Sequence, residues 1–294
     1  MTDLLRRLRV STTSLLLVAP GFAATLTNLS VRTAAGTGAQ TLTVGFAVAG
    51  EGGKPVLLRA VGPALSGFGV PGTLANPALQ VFSGPAVIAG NDDWGAQSPG
   101  AGALGPVFSA AGAFALPAGS ADAALLQTLP PGPYTMQVSG AGAATGLALA
   151  ELYDTDSAGR ARLANVSARA KVGTGDGVLI AGLVVGGNTT CRLLARVVGP
   201  TLSTLGVSGA LADPTVELYG PGSATPIASN DDWGSVQATV VGEGLFRRVG
   251  AFDLPAGSKD SVIVARVQPG AYTLVAQGKG TAQGEALIEI YLID

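Results

Sequence analysis

A chain of 294 residues that is 47% apolar and 12% charged has material for one to three hydrophobic cores. Its 44 glycines and 18 prolines stay below the level of a disordered low-complexity chain. A net charge of −2 gives no electrostatic reason to bind nucleic acid or an anionic membrane surface. The chain has no histidine and one cysteine, Cys191, which excludes His-based triads, imidazole acid–base catalysis, His-bearing zinc sites and any intrachain disulfide.

The N-terminus carries Arg6, Arg7 and Arg9, then the apolar stretch Leu15–Ala19, then the small residues of Gly21-Phe22-Ala23-Ala24. This order predicts a secretory signal over residues 1–23. Cleavage after Ala23 places Gly21 three residues before the cut, whereas cleavage after Ala24 would place bulky Phe22 there. The mature protein is therefore expected to be secreted or cell-surface. No later stretch reaches the roughly 18–20 apolar residues of a membrane helix, so no span is expected in the mature chain.

The rest of the sequence occurs twice. Leu26-Thr-Asn28-Leu-Ser30-Val-Arg32 returns as Leu163-Ala-Asn165-Val-Ser167-Ala-Arg169, and Arg59-Ala-Val-Gly62-Pro63 as Arg196-Val-Val-Gly199-Pro200. Further on, Asn91-Asp92-Asp93-Trp94-Gly95 matches Asn230-Asp231-Asp232-Trp233-Gly234, and Gly112-Ala-Phe114 with Leu116-Pro117-Ala-Gly119-Ser120 matches Gly250-Ala-Phe252 with Leu254-Pro255-Ala-Gly257-Ser258. Pro131-Gly132-Pro-Tyr134-Thr135 and Glu151-Leu-Tyr153 match Pro269-Gly270-Ala-Tyr272-Thr273 and Glu289-Ile-Tyr291. The repeat predicts two domains, 24–154 and 163–294, joined by a polar linker over 155–162 and folded as separate units.

Within copy one, strands are predicted over Thr41–Ala49, Val56–Val61, Leu79–Phe82, Ala123–Leu129, Tyr134–Ser139 and Leu147–Tyr153. Copy two repeats them at Val178–Val185, Leu193–Val198, Val216–Tyr219, Ser261–Val267, Tyr272–Gln277 and Ala286–Tyr291. The second run of each copy is continuously apolar around an arginine, as in a strand buried on both faces. The last two runs of each copy, separated by a Gly-rich turn, read as a hairpin, and no window shows a capped helical period. Short strands at this spacing predict an all-β chain of two tandem jelly-roll-like β-sandwiches.

The order NDDWG, GAF-x-L-x-x-GS and PG-x-YT resembles the bacterial pre-peptidase C-terminal domain family, β-sandwich modules appended to secreted proteins. The longer pattern that starts at LxNxSxR is similar to a tandem repeat of uncharacterised exported bacterial proteins. The resemblance implies a binding or structural module, and no peptidase accompanies it here.

The Asn-Asp-Asp turns offer side-chain oxygens in a row, the ligand type that calcium takes six to eight at a time. Asn91, Asp92 and Asp93, with Asp122 nearby, form the candidate set of copy one, and Asn230, Asp231, Asp232 and Asp260 that of copy two; Asx-turns and caps would use the same residues. Asp154 and Asp156 form a second acidic group, expected to be solvated linker. Trp94 and Trp233 would either stack on sugar rings or plug the core. Arg59 and Arg196 need acids, either Asp92 or Asp93 (Asp231 or Asp232) or Glu151 and Glu289, because an unpaired charge inside an apolar strand is costly. A carboxylate-pair hydrolase could use Asp92, Asp93, Asp122 or Glu151, yet each of these has an equivalent in copy two, which suits structural residues. The lone Cys191 would be either buried or an intermolecular link. The expected function is therefore non-catalytic: a structural or interaction module, with itself, other surface proteins or extracellular glycans as partners, requiring no cofactor except, on the calcium reading, that ion.

Overall fold

The computed structural model describes residues 24–96, 100–235 and 244–293; the predicted signal segment lies outside them. The chain is all-β and antiparallel. Copy one forms β1 (Thr25–Ala35), β2 (Leu42–Ala49), β3 (Lys54–Val61), β4 (Pro77–Ser83), β5 (Ala86–Asn91), helix α1 (Gly100–Ala111), β6 (Ala123–Leu129), β7 (Gly132–Gly140) and β8 (Gly146–Asp154). Copy two forms β9 (Arg162–Val172), β10 (Leu179–Gly186), β11 (Cys191–Val198), α2 (Pro200–Thr204), β12 (Pro214–Tyr219), β13 (Pro226–Asn230), α3 (Leu245–Arg248), β14 (Ser261–Val267), β15 (Gly270–Gly278) and β16 (Gly284–Ile293). No helix among the described residues is long and apolar enough to cross a membrane.

Strand order within copy one is β1-β8-β3-β6 in one sheet and β2-β7-β4-β5 in the other. Copy two repeats this as β9-β16-β11-β14 and β10-β15-β12-β13. Successive strands thus alternate between sheets over most of each copy, which is the jelly-roll arrangement. The predicted closing hairpins do not form: β7 pairs with β2 and β4, while β8 pairs with β1 and β3. The Gly-rich turn between them crosses from one sheet to the other. It folds so tightly that a Cβ on Gly140 would lie 1.8 Å from the Ala144 carbonyl oxygen.

Separateness of the two copies also fails. β1 carries β8 on one edge and β10 of the other copy on the opposite edge, and β9 likewise carries β16 and β2. Two eight-stranded layers result, each drawing four strands from either copy and linked where Leu26 of β1 pairs with Leu163 of β9, and a single buried cluster runs from Leu26 and Val44 to Val166, Leu183 and Ile288. A strand with both edges paired leaves no unsatisfied backbone row, and at the junction only the other copy can supply the second edge.

Strands β1, β2, β7 and β10 alternate inward apolar and outward residues, so one face of each lines this core. β3 and β11 are buried on both faces, as their continuous apolar runs predict. Their second face is closed by the segment after β5 or β13. In copy one, Leu104 and Phe108 of α1 join Leu57, Val61, Trp94 and Leu116 in a second cluster, and Leu245 and Phe246 of α3 do the same with Leu194, Val198 and Leu254. Glycines and the internal Pro106 hide α1 from any periodicity argument; the Leu104/Phe108 pair at i and i+4 is its only helical signal.

Candidate functional site

Each copy buries one arginine between its sheet and this cap. Arg59 of β3 stands opposite Glu151 of β8, and its Nε lies 3.0 Å from Glu151 Oε2. Its Nη1 donates to the Phe114 carbonyl at 2.7 Å, and the guanidinium carbon sits 4.7 Å from the Phe108 ring centroid and 4.4 Å from that of Phe114. The Tyr153 hydroxyl donates to Glu151 Oε1 at 2.7 Å. Copy two repeats the set: Arg196 Nε donates to Glu289 at 2.9 Å and Nη1 to the Phe252 carbonyl at 2.6 Å, its guanidinium carbon lies 4.7 and 4.5 Å from the Phe246 and Phe252 ring centroids, and Tyr291 donates to Glu289 at 2.9 Å. The acid is Glu151 or Glu289 in each copy, and none of the Asn-Asp-Asp acids takes part.

The arginines are wholly buried and the pairs are nearly so. In copy one the ion pair is close but misses hydrogen-bond alignment, and Arg59 Nη2 lacks a hydrogen-bond partner. Burial pushes the Glu151 carboxyl above the usual carboxylate range, against the opposing pull of Arg59 and of the Tyr153 hydroxyl. The Tyr153 and Tyr291 phenols are raised as well, first by burial and then by the neighbouring glutamate.

The Asn-Asp-Asp-Trp-Gly turn builds a second buried cluster around Asp122. Its Oδ1 accepts from the backbone N–H of Gly62 at 2.8 Å and of Ala64 at 3.3 Å, and its Oδ2 accepts from Ser120 Oγ at 2.7 Å. Trp94 donates its backbone N–H to the Asp122 carbonyl and its indole N–H to the Pro117 carbonyl and Ser120 Oγ. Asn91 Oδ1 accepts from the Ala124 N–H and its amide donates to the Asp93 carbonyl, closing the turn. Asp260, Ser258, Trp233 and Asn230 repeat these bonds in copy two, with Thr201 donating a further hydroxyl to Asp260.

The proposed calcium set is therefore not gathered on one point. Asp122 and Asp260 turn both oxygens to protein donors, Asn91 and Asn230 brace strand ends, and Asp92 and Asp93 face solvent. Asp231 pairs with Lys279 at 2.7 Å, which holds its carboxyl below the usual range, first through the hydrogen bond. Among the described residues no three acidic, His or Cys groups are placed to hold a metal ion. Ring stacking on sugars fails at Trp94, which is 6% exposed and packs 5.5 Å from Phe108. Trp233 is less covered, and its ring lies 6.1 Å from Phe246 with its N–H already bonded.

Two features escaped sequence reasoning. Asp154 is no solvated linker residue: Lys54 is buried and pairs with it at 2.7 Å, the ammonium also reaching the Asp156 carbonyl. The corresponding positions of copy two are Cys191, buried at the start of β11, and Leu292, so one copy uses an ion pair where the other uses apolar groups. Such an exchange is nearly neutral in energy when both partners change together. The second feature is the junction ladder between copies, which runs along β1 and β9 through the repeated Leu-x-Asn-x-Ser-x-Arg pattern, a pattern that marks the repeat without marking a pairing. Clefts of about 320 Å³ beside Ala35 and Gly173, and of about 490 Å³ beneath α1, include none of the Arg-Glu-Tyr or Asn-Asp-Asp-Trp residues in their walls. No family model and no curated protein matches this chain.

Proposed function

We propose that this chain is an exported, non-catalytic structural module that acts at the cell surface or outside it by associating with copies of itself or with other surface proteins. One observation carries the reading. Arg59, Glu151 and Tyr153, and Asp122, Ser120 and Trp94, recur in both copies and are bonded to one another in two internal clusters, Arg-Glu-Tyr and Asp-Ser-Trp, and so serve the scaffold. A catalytic group needs access to a substrate, and Arg59, Glu151 and Asp122 with their counterparts are buried away from it. The likeness to pre-peptidase C-terminal modules fits the same proposal, since Trp94 and Ser120 of its motifs, with Trp233 and Ser258, belong to the Asp-Ser-Trp cluster. Cell fractionation with N-terminal sequencing tests export, the expected mature terminus being Ala24. Electron microscopy of the purified mature protein tests association, and particles that stay single at every concentration would overturn that part.

A further inference from the structure

Five large apolar side chains stand out into solvent among the described residues: Phe68, Val87, Ile88, Leu205 and Ile227. Three of them lie on β5 and β13, which are equivalent strands of the two copies, and Ile88 and Ile227 occupy the same position in the repeat, 44% and 52% exposed. Among the described residues β5 pairs only with β4, and β13 only with β12, so each ends one of the eight-stranded sheets, at opposite ends of the molecule. Edge strands of monomeric proteins are usually blunted by charge, proline or bulges, and the proline of β13, Pro226, stands at its hairpin end. Neither Ala86–Asn91 nor Pro226–Asn230 contains a charged residue. The irregularities beside them, between Val81 and Phe82 and between Leu218 and Tyr219, sit at the hairpin end and leave the ladder regular toward Asn91 and Asn230.

The molecule itself shows what such an edge accepts. At its centre β1 pairs with β10, and β2 with β9, joining one copy to the next by antiparallel ladders with apolar residues on one face. We propose that β5 and β13 continue these sheets from molecule to molecule, an end strand of one chain pairing antiparallel with an end strand of a second copy, so that the protein polymerises lengthwise. This rests on the self-association reading and gives it a surface. Because the contact repeats at both ends, growth is open and does not close at a dimer.

The test uses the full mature chain and the exposed substitutions Ile88→Lys and Ile227→Lys, which place a charge on the edge without entering the core. Wild type is expected to form particles that lengthen with concentration in sedimentation and electron microscopy. Either single variant should stop at dimers or smaller, and the double variant should run as a monomer with unchanged circular dichroism. Assemblies that survive in the double variant but vanish with Phe68→Asp and Leu205→Asp would overturn the edge contact while sparing self-association. Wild type that remains monomeric at all concentrations would overturn both.

Discussion

Replacing Arg59 by leucine removes the cation from a pocket that keeps its anion. Glu151 is left buried beside Tyr153 with no counter-charge, and breaking one side of a buried pair costs about 3–5 kcal/mol. Loss of the attraction to the Phe108 and Phe114 rings adds up to about 2 kcal/mol, partly offset by leucine packing against them. A net loss of about 4 kcal/mol lowers the melting temperature of a chain this long by about 10 °C. The carboxyl already lies above its ordinary value because of burial, and without Arg59 it rises further. A carboxyl raised in the folded state binds more protons folded than unfolded, so its contribution is full below the unfolded value of about 4.3 and is lost as pH rises through the folded value. The deficit of Arg59→Leu should therefore be larger at pH 7 than at pH 5. Urea titrations followed by tryptophan fluorescence measure both, since Trp94 shares the cap with Phe108. A deficit under about 1 kcal/mol, or one equal at the two pH values, would refute the assignment of a buried pair.

Gly45 faces Ser167 across the junction, and a Cβ there would lie 2.7 Å from Ser167 Oγ, so Gly45→Ala should cost about 1 kcal/mol in urea titrations and lose that cost in a Ser167→Ala background. A protease site built into the exposed linker at Ser157–Arg160 should be cut without separating the halves, which gel filtration would show as one peak at the intact position. Lys279→Met should raise the Asp231 carboxyl toward its ordinary value of about 3.9, read by carbon NMR titration; its depressed value in the wild type means that its small contribution is present above that pH and lost as pH falls through the lower folded value. Thermal melts in millimolar calcium and in chelator should coincide, because Asp122 and Asp260 are committed to backbone donors; a rise on the order of 5 °C would show that the turns gather an ion after all.

Sequence alone reached the strands whose apolar runs are long and the need for an acid beside Arg59. Local alternation and the cost of a buried charge are properties of the residues themselves. It missed β5 and β13 as strands, since Ala86-Val-Ile-Ala-Gly-Asn91 shows no two-residue alternation when neither face is covered. The closing hairpins were misread for a related reason. A Pro-Gly turn followed by two alternating runs fits a hairpin and a sheet-to-sheet crossover equally, and only the partners on the far edges decide between them. The Asp-rich turn suggested a ligand because aspartate oxygens serve a metal and a backbone N–H alike. For Asp122, the nearby acid of that candidate set, what distinguishes the two uses is whether Gly62 and Ala64, about sixty residues earlier in the chain, aim their N–H groups at its carboxylate.

The junction between copies has a symmetry of its own. Leu29 stands opposite Leu183, and Val166, the counterpart of Leu29, stands opposite Phe46, the counterpart of Leu183. Ser30 meets Gly182 as Ser167 meets Gly45, and a Cβ on either glycine would strike the facing serine oxygen, at 2.6 and 2.7 Å. The contact is therefore self-complementary in the manner of a twofold dimer, with the linker turning an interface between like modules into one within a chain. Ser30 and Ser167 belong to the repeated Leu-x-Asn-x-Ser-x-Arg pattern, but nothing in the sequence points from them to the facing glycines. The two copies together present one module's worth of junction, already filled, and the outer ladders at β5 and β13 are left as the places where the same antiparallel pairing can recur.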